Sequence, residues 1–253
     1  FFHDTIMSHP PISSELKKIA KAIDHSKGRG ILVGGAVRDH FLDRRISKDL
    51  DIEVFGLSMS ELESVLQEFG NIYAIGKSFG VIKLKTPNAE YDFSIPRREK
   101  KTGKGHKGFK ITTDPTMTFK EAASRRDFTV NSIGFDLLEK TILDPFKGIE
   151  DINNKKLRHI GPAFAEDPLR VYRAMQFSAR LEFSISAQTK NFCRNLNLSE
   201  LPKERIFEEF RKLLLKSNKP SIGLKAAKQL GILKFFPELR SLIGVPQDPK
   251  WHP

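Results

Sequence analysis

Apolar positions along the first part of the chain follow a helical period and then an alternating one. Leu16, Ile19 and Ile23 share one face of a helix that the spacing predicts over residues 13–26, with Ser13 or Ser14 as its cap. Residues 49–55 alternate strictly between polar and apolar and predict a strand. Shorter patterns predict a strand over 30–33, a short helix after it, a helix over 60–69, and strands over 71–75, 79–85 and 90–95.

The second half of the chain has a mostly helical pattern. A helix and a hairpin near 133–144 are predicted first. From residue 166 onward, helices are predicted over 166–180, 186–196, 203–216 and 220–230. We therefore expect an α+β fold. Residues 1–160 should form a mixed-sheet domain with an N-terminal helix, and residues 161–253 an all-helical one.

Composition points to a polyanionic partner. The 253 residues carry 43 Lys and Arg against 31 Asp and Glu, a net charge of +12. Such an excess is typical of nucleic-acid binding. One cysteine, Cys193, excludes an internal disulfide or a Cys-rich zinc site, and we expect it in the core. No apolar run approaches the roughly 18 residues of a membrane-spanning helix, so no membrane partner is expected.

Positive charge is concentrated in one segment between the two halves. Residues 97–110 hold seven Lys or Arg, one Glu and three glycines. Composition predicts a mobile basic loop, either a solvated linker or a functional element. The predicted helices after residue 186 also carry many Lys and Arg, which either follow an RNA backbone or form an ordinary solvated surface.

A pair of glycines lies where a strand passes into a helix. Gly34 and Gly35 let the backbone approach a phosphate closely, and Arg38 adds a positive charge one turn later. Asp49 and Asp51 follow on the next strand and share one face, about 7 Å apart at the backbone. Alone, the glycines fit a tight turn and the aspartates an exposed strand face. Together they favour nucleotidyl transfer.

Two acidic oxygen donors beside a phosphate site suit Mg²⁺, so Asp49 and Asp51 are the predicted metal ligands. A third catalytic carboxylate is expected, and two residues compete for the role. Glu53 continues the same strand face, but three alternate positions on one strand span roughly 13 Å, too far for one metal pair. Asp92 comes from another predicted strand, and we prefer it, with an ordinary strand carboxylate as the alternative.

Five motifs in order carry a resemblance to a known family. They are LVGGAVRD at 32–39 with DLD at 49–51, RRDFTVN at 125–131, DPFKG at 144–148 with DI at 151–152, EDPLRVYRA at 166–174, and RIFEE at 205–209. The sequence resembles the polymerase β-like nucleotidyltransferases, in particular class II tRNA nucleotidyltransferases (CCA-adding enzymes) and bacterial poly(A) polymerases. The resemblance covers roughly residues 30–253 and implies a nucleotidyltransferase head followed by a helical neck and body.

The resemblance also implies roles for the later motifs. Arg126 would contact the nucleotide, and Asp127 and Asn131 would surround the sugar, where an Arg–Asp pair and a capping Asn are the ordinary alternative. The fourth motif would recognise the base, and its Arg173 would meet phosphate or base. Gln176 stands where the family usually carries another Arg, and a glutamine lacks the positive charge of that Arg.

The hydrogen-bonding groups of the fourth motif, EDPLRVYRA, predict which bases it selects. Asp167 and Arg170 are three residues apart on a predicted helix and so share a face. Cytosine and adenine each place an amino donor beside a ring-nitrogen acceptor, whereas uracil and guanine reverse that order. An Asp–Arg pair therefore selects CTP and ATP. The alternative is an ion pair on the helix surface.

The predicted activity is template-independent addition of C and A to the 3′ end of tRNA, with CTP and ATP as substrates and release of pyrophosphate. An A-adding enzyme or poly(A) polymerase is the nearest rival. A non-catalytic RNA-binding module and a small-molecule nucleotidyltransferase are more distant ones. We expect a cytoplasmic protein, and the sequence predicts no oligomeric state. The tail after residue 244 resembles the linker before an HD-type phosphohydrolase domain.

Overall fold

A computed structural model describes residues 10–43, 50–74, 80–101, 109–246 and 250. The chain divides into two compact units, residues 1–154 and 155–253. The first holds the sheet, and the second is helical apart from two very short strands. This mixture of a mixed sheet and helices confirms the predicted α+β class.

A seven-stranded mixed sheet forms the centre of the first unit. The unit's strands, in chain order, are β1 (Arg29–Val33), β2 (Leu50–Phe55), β3 (Asn71–Ala74), β4 (Val81–Lys85), β5 (Glu90–Ser94), β6 (Arg97–Lys101), β7 (Phe109–Thr113), β8 (Gly134–Asp136) and β9 (Ile142–Leu143). The sheet order is β3-β4-β5-β2-β1-β8-β9. β2 and β5 pair in parallel, whereas β1 pairs antiparallel with β2 and β8. The hairpin predicted near 133–144 is confirmed as β8 and β9.

Helices lie on both faces of this sheet. The unit's helices are α1 (Ser14–His25), α2 (Gly35–Phe41), α3 (Met59–Gln67), α4 (Phe119–Ser124) and α5 (Gly148–Asn153). Ser13 caps α1 by accepting a hydrogen bond from the backbone N–H of Leu16 at 3.0 Å. The predicted apolar face of α1 is fully buried, and its first turn is joined to the sheet through Tyr91, whose hydroxyl donates to Glu15 at 3.0 Å.

The face of the sheet opposite α1 is divided between a core, to which α4 contributes, and a polar region. Over β1 and one end of β2, the buried residues Ile31, Val33 and Phe55 pack with Met117 and Ala122. Strand alternation places the acidic side chains of β2 and β5 on this same face. The apolar core therefore ends where these polar positions begin.

The prediction of a mobile loop over 97–110 is wrong for its two ends. Residues 97–101 and 109–113 pair antiparallel as β6 and β7. Arg98 donates to Asp114 at 2.6 Å and so fixes the base of the ribbon. The residues between, 102–108, lie outside the described part of the chain. The sequence does not predict this strand pair. β6 consists of charged residues and lacks the alternation of apolar and polar residues that indicates a strand.

The second unit is built around one buried helix. Its helices are α6 (Leu169–Leu181), α7 (Ala187–Arg194), α8 (Lys203–Lys216), α9 (Pro220–Gln229) and α10 (Pro237–Ser241). Two strands, β10 (Lys156–Leu157) and β11 (Ser184–Ile185), pair in parallel, so the unit is not entirely helical as expected. Gly223 allows close packing of α9, because a Cβ there would overlap Leu213 of α8 and lie 3.0 Å from the carbonyl oxygen of Met175 on α6.

Cys193 lies in this second core, as predicted, and is 1% exposed. Burial raises the pKa of its thiol to about 12, so the thiol stays protonated and inert. Across the described residues, no helix is both long and apolar enough to cross a bilayer.

Candidate functional site

Two carboxylates of the first unit lie on neighbouring strands. Asp51 of β2 is the direct parallel partner of Asp92 of β5, and matched positions in a sheet project to the same face. Asp49, the other predicted metal ligand, lies outside the described residues. Within the described residues, no three His, Cys, Asp or Glu side chains come together as a metal-binding group.

The two candidates for a third carboxylate differ in their surroundings. Glu53 is 9% exposed and accepts a hydrogen bond from Nη2 of Arg126 at 3.2 Å. Asp92 lies beside Asp51, and its Oδ1 atom is buried without a hydrogen-bond partner. Lys83 Nζ is 3.5 Å from that oxygen, an ion pair without hydrogen-bond geometry. A buried, unsatisfied carboxylate oxygen is costly, and a cation ligand would satisfy it.

The glycine turn lies directly against these groups. Gly34 has φ of +74°, a backbone conformation that favours glycine. A Cβ at Gly34 would be 3.4 Å from Asp51 Oδ2 and 3.8 Å from Arg126 Nη1. A Cβ at Gly35 would lie at ordinary contact, 3.6 Å from Arg38 Nη2. The structure therefore brings the turn, one predicted metal ligand and two predicted nucleotide-binding arginines together.

Arg38 is buried and belongs to a hydrogen-bonded chain. It is 5% exposed, and it donates through Nη1 to Asn131 Oδ1 at 2.7 Å and through Nε to Asp39 at 2.8 Å. Asn131 Nδ2 donates in turn to Asp127 Oδ1 at 2.9 Å, which also accepts from the backbone N–H of Phe128. The amide of Asn131 thus connects two groups that the sequence assigns separately to phosphate and to sugar.

The third motif, DPFKG with DI at 151–152, anchors the segment that carries Asn131. Asp144 caps α5 by accepting from the backbone N–H groups of Gly148 at 2.7 Å and Ile149 at 2.9 Å. Thr129 donates its hydroxyl to Asp151 of α5 at 2.5 Å, and Asp151 is 5% exposed. Through these contacts, α5 holds the 3₁₀ turn over Thr129–Asn131 in place.

In the second unit, the expectation that Asp167 and Arg170 share a helix is wrong. α6 begins at Leu169, and Asp167 has extended backbone angles, φ −128° and ψ 96°. The cause is Pro168, which disfavours helical geometry in the residue before it. Asp167 is paired with Arg205 of α8, through Nη1 to Oδ1 at 3.2 Å and Nη2 to Oδ2 at 2.8 Å.

The arginines of α6 have contacts of their own. Arg170 Nη1 donates to the carbonyl oxygen of Ala163 at 2.6 Å. The guanidinium of Arg173 lies over the ring of Phe177, 5.2 Å from its centroid. Gln176, the departure from the family motif, is 1% exposed in the core of the unit. A charged Arg at that depth would need a buried partner.

Sequence reasoning did not place two of these neighbours. Arg205 was noted as part of a motif, but it is 38 residues from Asp167, and no spacing rule links them. No sequence pattern singles out Lys83, although it alternates with apolar residues on β4. Its position opposite Asp92 depends on strand register, which a single sequence does not reveal.

Comparison with known families gives two matches on this chain. Residues 31–158 match the model of the poly(A) polymerase head domain. Residues 182–243 match a model described as the probable RNA and SrmB-binding site of polymerase A. The first covers half of the chain and includes the glycine turn, the carboxylates and the RRDFTVN motif.

Relatives of known name are similar over most of this chain. A Stenotrophomonas maltophilia protein named multifunctional CCA protein is 40% identical over 230 residues, which are 88% of this chain and 54% of the relative. A Xylella fastidiosa protein of the same name is 39% identical over 89% of this chain and 54% of its own length. The chain therefore spans about half the length of these relatives.

Solved structures share the fold. The Bacillus stearothermophilus CCA-adding enzyme in complex with CTP is 26% identical with a TM-score of 0.71, over 89% of this chain and 54% of that one. The Thermotoga maritima CCA-adding enzyme complexed with tRNA is 23% identical with a TM-score of 0.73, over 90% and 54%. At that identity, the second likeness concerns the fold alone.

Proposed function

The chain belongs to the family of poly(A) polymerase head domains, and from this premise we propose that it is a nucleotidyltransferase adding C and A to the 3′ end of tRNA. CTP and ATP are the substrates, and pyrophosphate is released. The names of the relatives, multifunctional CCA protein, favour this activity over others of the family. Residues 1–160 form the catalytic head in this proposal, and residues 161–253 the helical neck and partial body.

One observation carries the proposal: the convergence of the glycine turn, Arg126 and two carboxylates at one end of β2. Asp51 and Asp92 lie side by side, and Gly34 lies against Asp51. Arg126, with a quarter of its side chain exposed, is the accessible cation for a triphosphate. Arg38 is buried, so it contributes its charge from beneath the turn and orients Asn131.

The donor set fits Mg²⁺, because carboxylate oxygens are its preferred protein ligands and Asp92 Oδ1 lacks a hydrogen-bond partner. We assign Asp49 and Asp51 as metal ligands and Asp92 as the third carboxylate. Bound Mg²⁺ would favour deprotonation of the attacking hydroxyl and offset charge on the leaving pyrophosphate. One of these carboxylates would accept the proton that the attacking 3′-hydroxyl loses.

Base choice is assigned to Asp167 and Arg170, with Arg173 beside them. A carboxylate has about four acceptor positions. The Asp167 carboxylate uses two for Arg205 and one for the backbone N–H of Leu169 at 3.2 Å. One position remains for the amino group of cytosine or adenine. Uracil and guanine present a carbonyl there, which repels the carboxylate.

A poly(A) polymerase is the second candidate, and the name of the matched family model supports it. It would share the same carboxylates and differ in accepting ATP alone on many RNA ends. A non-catalytic RNA-binding module would retain the basic surface without needing Asp51 beside Asp92. We also place the protein in the cytoplasm, where tRNA is processed.

Primer extension separates these functions. Transcripts of tRNA lacking zero, one, two or three terminal nucleotides are incubated with each triphosphate and Mg²⁺. We expect C on the two shortest ends and A after two C, with no extension of complete tRNA. Asp51→Asn keeps the shape but removes the charge, and it should lower the rate of incorporation by at least about 10³-fold with RNA affinity unchanged.

Open-ended A addition to any RNA would instead identify a poly(A) polymerase. Equal rates for Asp51→Asn and the wild type would exclude the catalytic assignment.

A further inference from the structure

The polar face of the sheet continues beyond the carboxylates as a row of four side chains. Register pairs Asp51 of β2 with Asp92 of β5, Asp92 with Lys83 of β4, and Lys83 with Tyr73 of β3. Directly opposite positions in a sheet project to the same face, so the row crosses four strands. Tyr73 is its outer end, on the edge strand.

Tyr73 is the exposed tyrosine of the chain. Its residue exposure is 51%, whereas the other two tyrosines, Tyr91 and Tyr172, are 2% and 1% exposed. The ring of Tyr73 is therefore open to a ligand, on the same face of the sheet as Asp51 and Asp92. Lys83 is the neighbouring cation, with 31% of its side chain exposed.

The direction of the proposed reaction determines which substrate passes over this end of the row. In phosphoryl transfer, the attacking and leaving oxygens lie on opposite sides of the reacting phosphorus. The glycine turn and the arginine that suit the leaving pyrophosphate, at Gly34 and Arg126, lie on the β1 side of Asp51. The attacking hydroxyl must therefore arrive from the other side, over β5 and β4.

We propose that Tyr73 is a stacking contact for the base at the 3′ end of the acceptor RNA, an inference that rests on the proposed function. Two strand spacings place Tyr73 about 10 Å from Asp92, which suits a nucleotide whose 3′-hydroxyl lies at the carboxylates. Stacking on a ring tolerates any base, because every base has a π-face. The proposed enzyme needs that tolerance, because the last base of the RNA that it extends changes during the reaction.

Lys83 makes this approach favourable for a polyanion. Its Nζ lies between Asp92 Oδ1 at 3.5 Å and Glu90 Oε2 at 3.8 Å. The two carboxylates would otherwise repel the phosphates of the RNA on this side of the site. Lys83 offsets that repulsion without donating a hydrogen bond to Asp92 Oδ1.

The test compares Tyr73→Ala, which removes the ring, with Tyr73→Phe, which keeps it. Leu138→Ala, at an exposed apolar residue (37%) beyond β8 at the other end of the sheet, is the matched control. Tyr73→Ala should raise the KM for a short acceptor RNA about tenfold or more and leave the KM for CTP unchanged. Tyr73→Phe and Leu138→Ala should match the wild type.

A direct measurement keeps this test independent of catalysis. A short RNA carries 2-aminopurine as its 3′-terminal base, whose fluorescence falls when it stacks on an aromatic ring. We expect quenching by the wild type and Tyr73→Phe, and its loss with Tyr73→Ala.

Equal quenching by wild type and Tyr73→Ala, or a raised KM for CTP instead of RNA, would overturn the stacking assignment. Failure of the wild type to extend any RNA would count against the proposed function alone, since the fluorescence result would still decide the contact.

Discussion

Individual side chains in this protein are held by partners that a single sequence does not reveal. The residue types alone give Asp167 an acceptor and Arg170 donors, which is the hydrogen-bonding order that cytosine and adenine require. The partner that orients Asp167 is Arg205 of α8, which donates two hydrogen bonds to its carboxylate. Similarly, Asn131 was expected at the sugar, and its amide lies between Arg38 and Asp127.

Substitution of Asp167 should change base selection. Asp167→Ala leaves the amino group of cytosine or adenine without its acceptor, and an unsatisfied group costs about 1–3 kcal/mol. Preference for CTP and ATP over UTP should therefore fall by about one to two decades. The measurement is incorporation efficiency, kcat/KM, for each of the four triphosphates on one primer.

Two companion variants sharpen this comparison. Asp167→Asn can rotate its amide to donate to a carbonyl, so its acceptance of UTP should exceed that of Asp167→Ala. Arg205→Lys keeps a positive charge but loses the paired geometry, and its effect should be smaller than that of Asp167→Ala. Full discrimination in Asp167→Ala would show that the side chain does not read the base.

At the scale of elements, periodic patterns predicted well and charge-rich segments did not. The α1 and α8 helices and the strands β1, β2 and β5 lie where apolar spacing placed them, to within a residue or two. β6 has no apolar alternation, so its sequence predicts a loop where the structure has a strand. α6 begins three residues later than expected, because Pro168 keeps Asp167 extended.

One aromatic cluster joins elements of the second unit and should make its stability depend on pH. His159 is 6% exposed, and its ring stacks on Phe192 of α7 at 4.7 Å and meets Phe164 edge-on. Its Nδ1 atom is 2.8 Å from the hydroxyl oxygen of Thr189. Burial, with a smaller contribution from the charge of Arg158, lowers the pKa of His159 from 6.5.

Acidification should therefore weaken the second unit. Because the pKa is lower in the folded chain, the unfolded chain binds more protons below about pH 6.5. Neutral His159 makes its full contribution to the free energy of unfolding above that pH. The contribution is lost as the pH falls below it, by at most about 1.4 kcal/mol per pH unit. Urea unfolding between pH 8 and 5 measures this slope.

His159→Phe keeps a stacked ring and removes the titration. Its slope between pH 6.5 and 5 should be shallower than that of the wild type. Parallel slopes would show that His159 does not titrate across folding.

At the scale of the whole molecule, the net charge of +12 does not say which cations are free to contact a polyanion. Ten Lys and Arg lie between residue 186 and the end of α9, nine of them on α7, α8 and α9 and one, Lys219, directly before α9. Five of them are held within the unit, for example Arg211 by Glu208 at 2.8 Å and Lys219 by Glu182 at 2.9 Å. In the described part of the chain, the other five show no ion pair; they are Lys190, Lys203, Lys216, Lys225 and Lys228. Composition predicts that the partner is negatively charged. The ion pairs show which lysines and arginines are available to contact it.

RNA binding should accordingly weaken with salt by an amount that the unpaired lysines set. Each phosphate neutralised contributes about −0.7 to −0.9 to the slope of log affinity against log salt. If all five unpaired lysines meet phosphate, they contribute a slope of about −3.5 to −4.5. Lys225→Gln with Lys228→Gln should reduce its magnitude by about 1.5. Fluorescence anisotropy with labelled tRNA between 50 and 300 mM salt, about the range over which such effects are large, measures both slopes.

A charge-neutral control tests whether pairing, rather than the mere number of cations, decides the slope. Arg211→Gln with Glu208→Gln removes one ion pair and leaves the net charge at +12. Its salt slope should equal that of the wild type, because an arginine already held by a carboxylate releases few counterions from RNA. A control that reduces the slope as much as the double lysine variant would show that RNA displaces the ion pair. A flat profile for the wild type would exclude RNA as the partner of this surface.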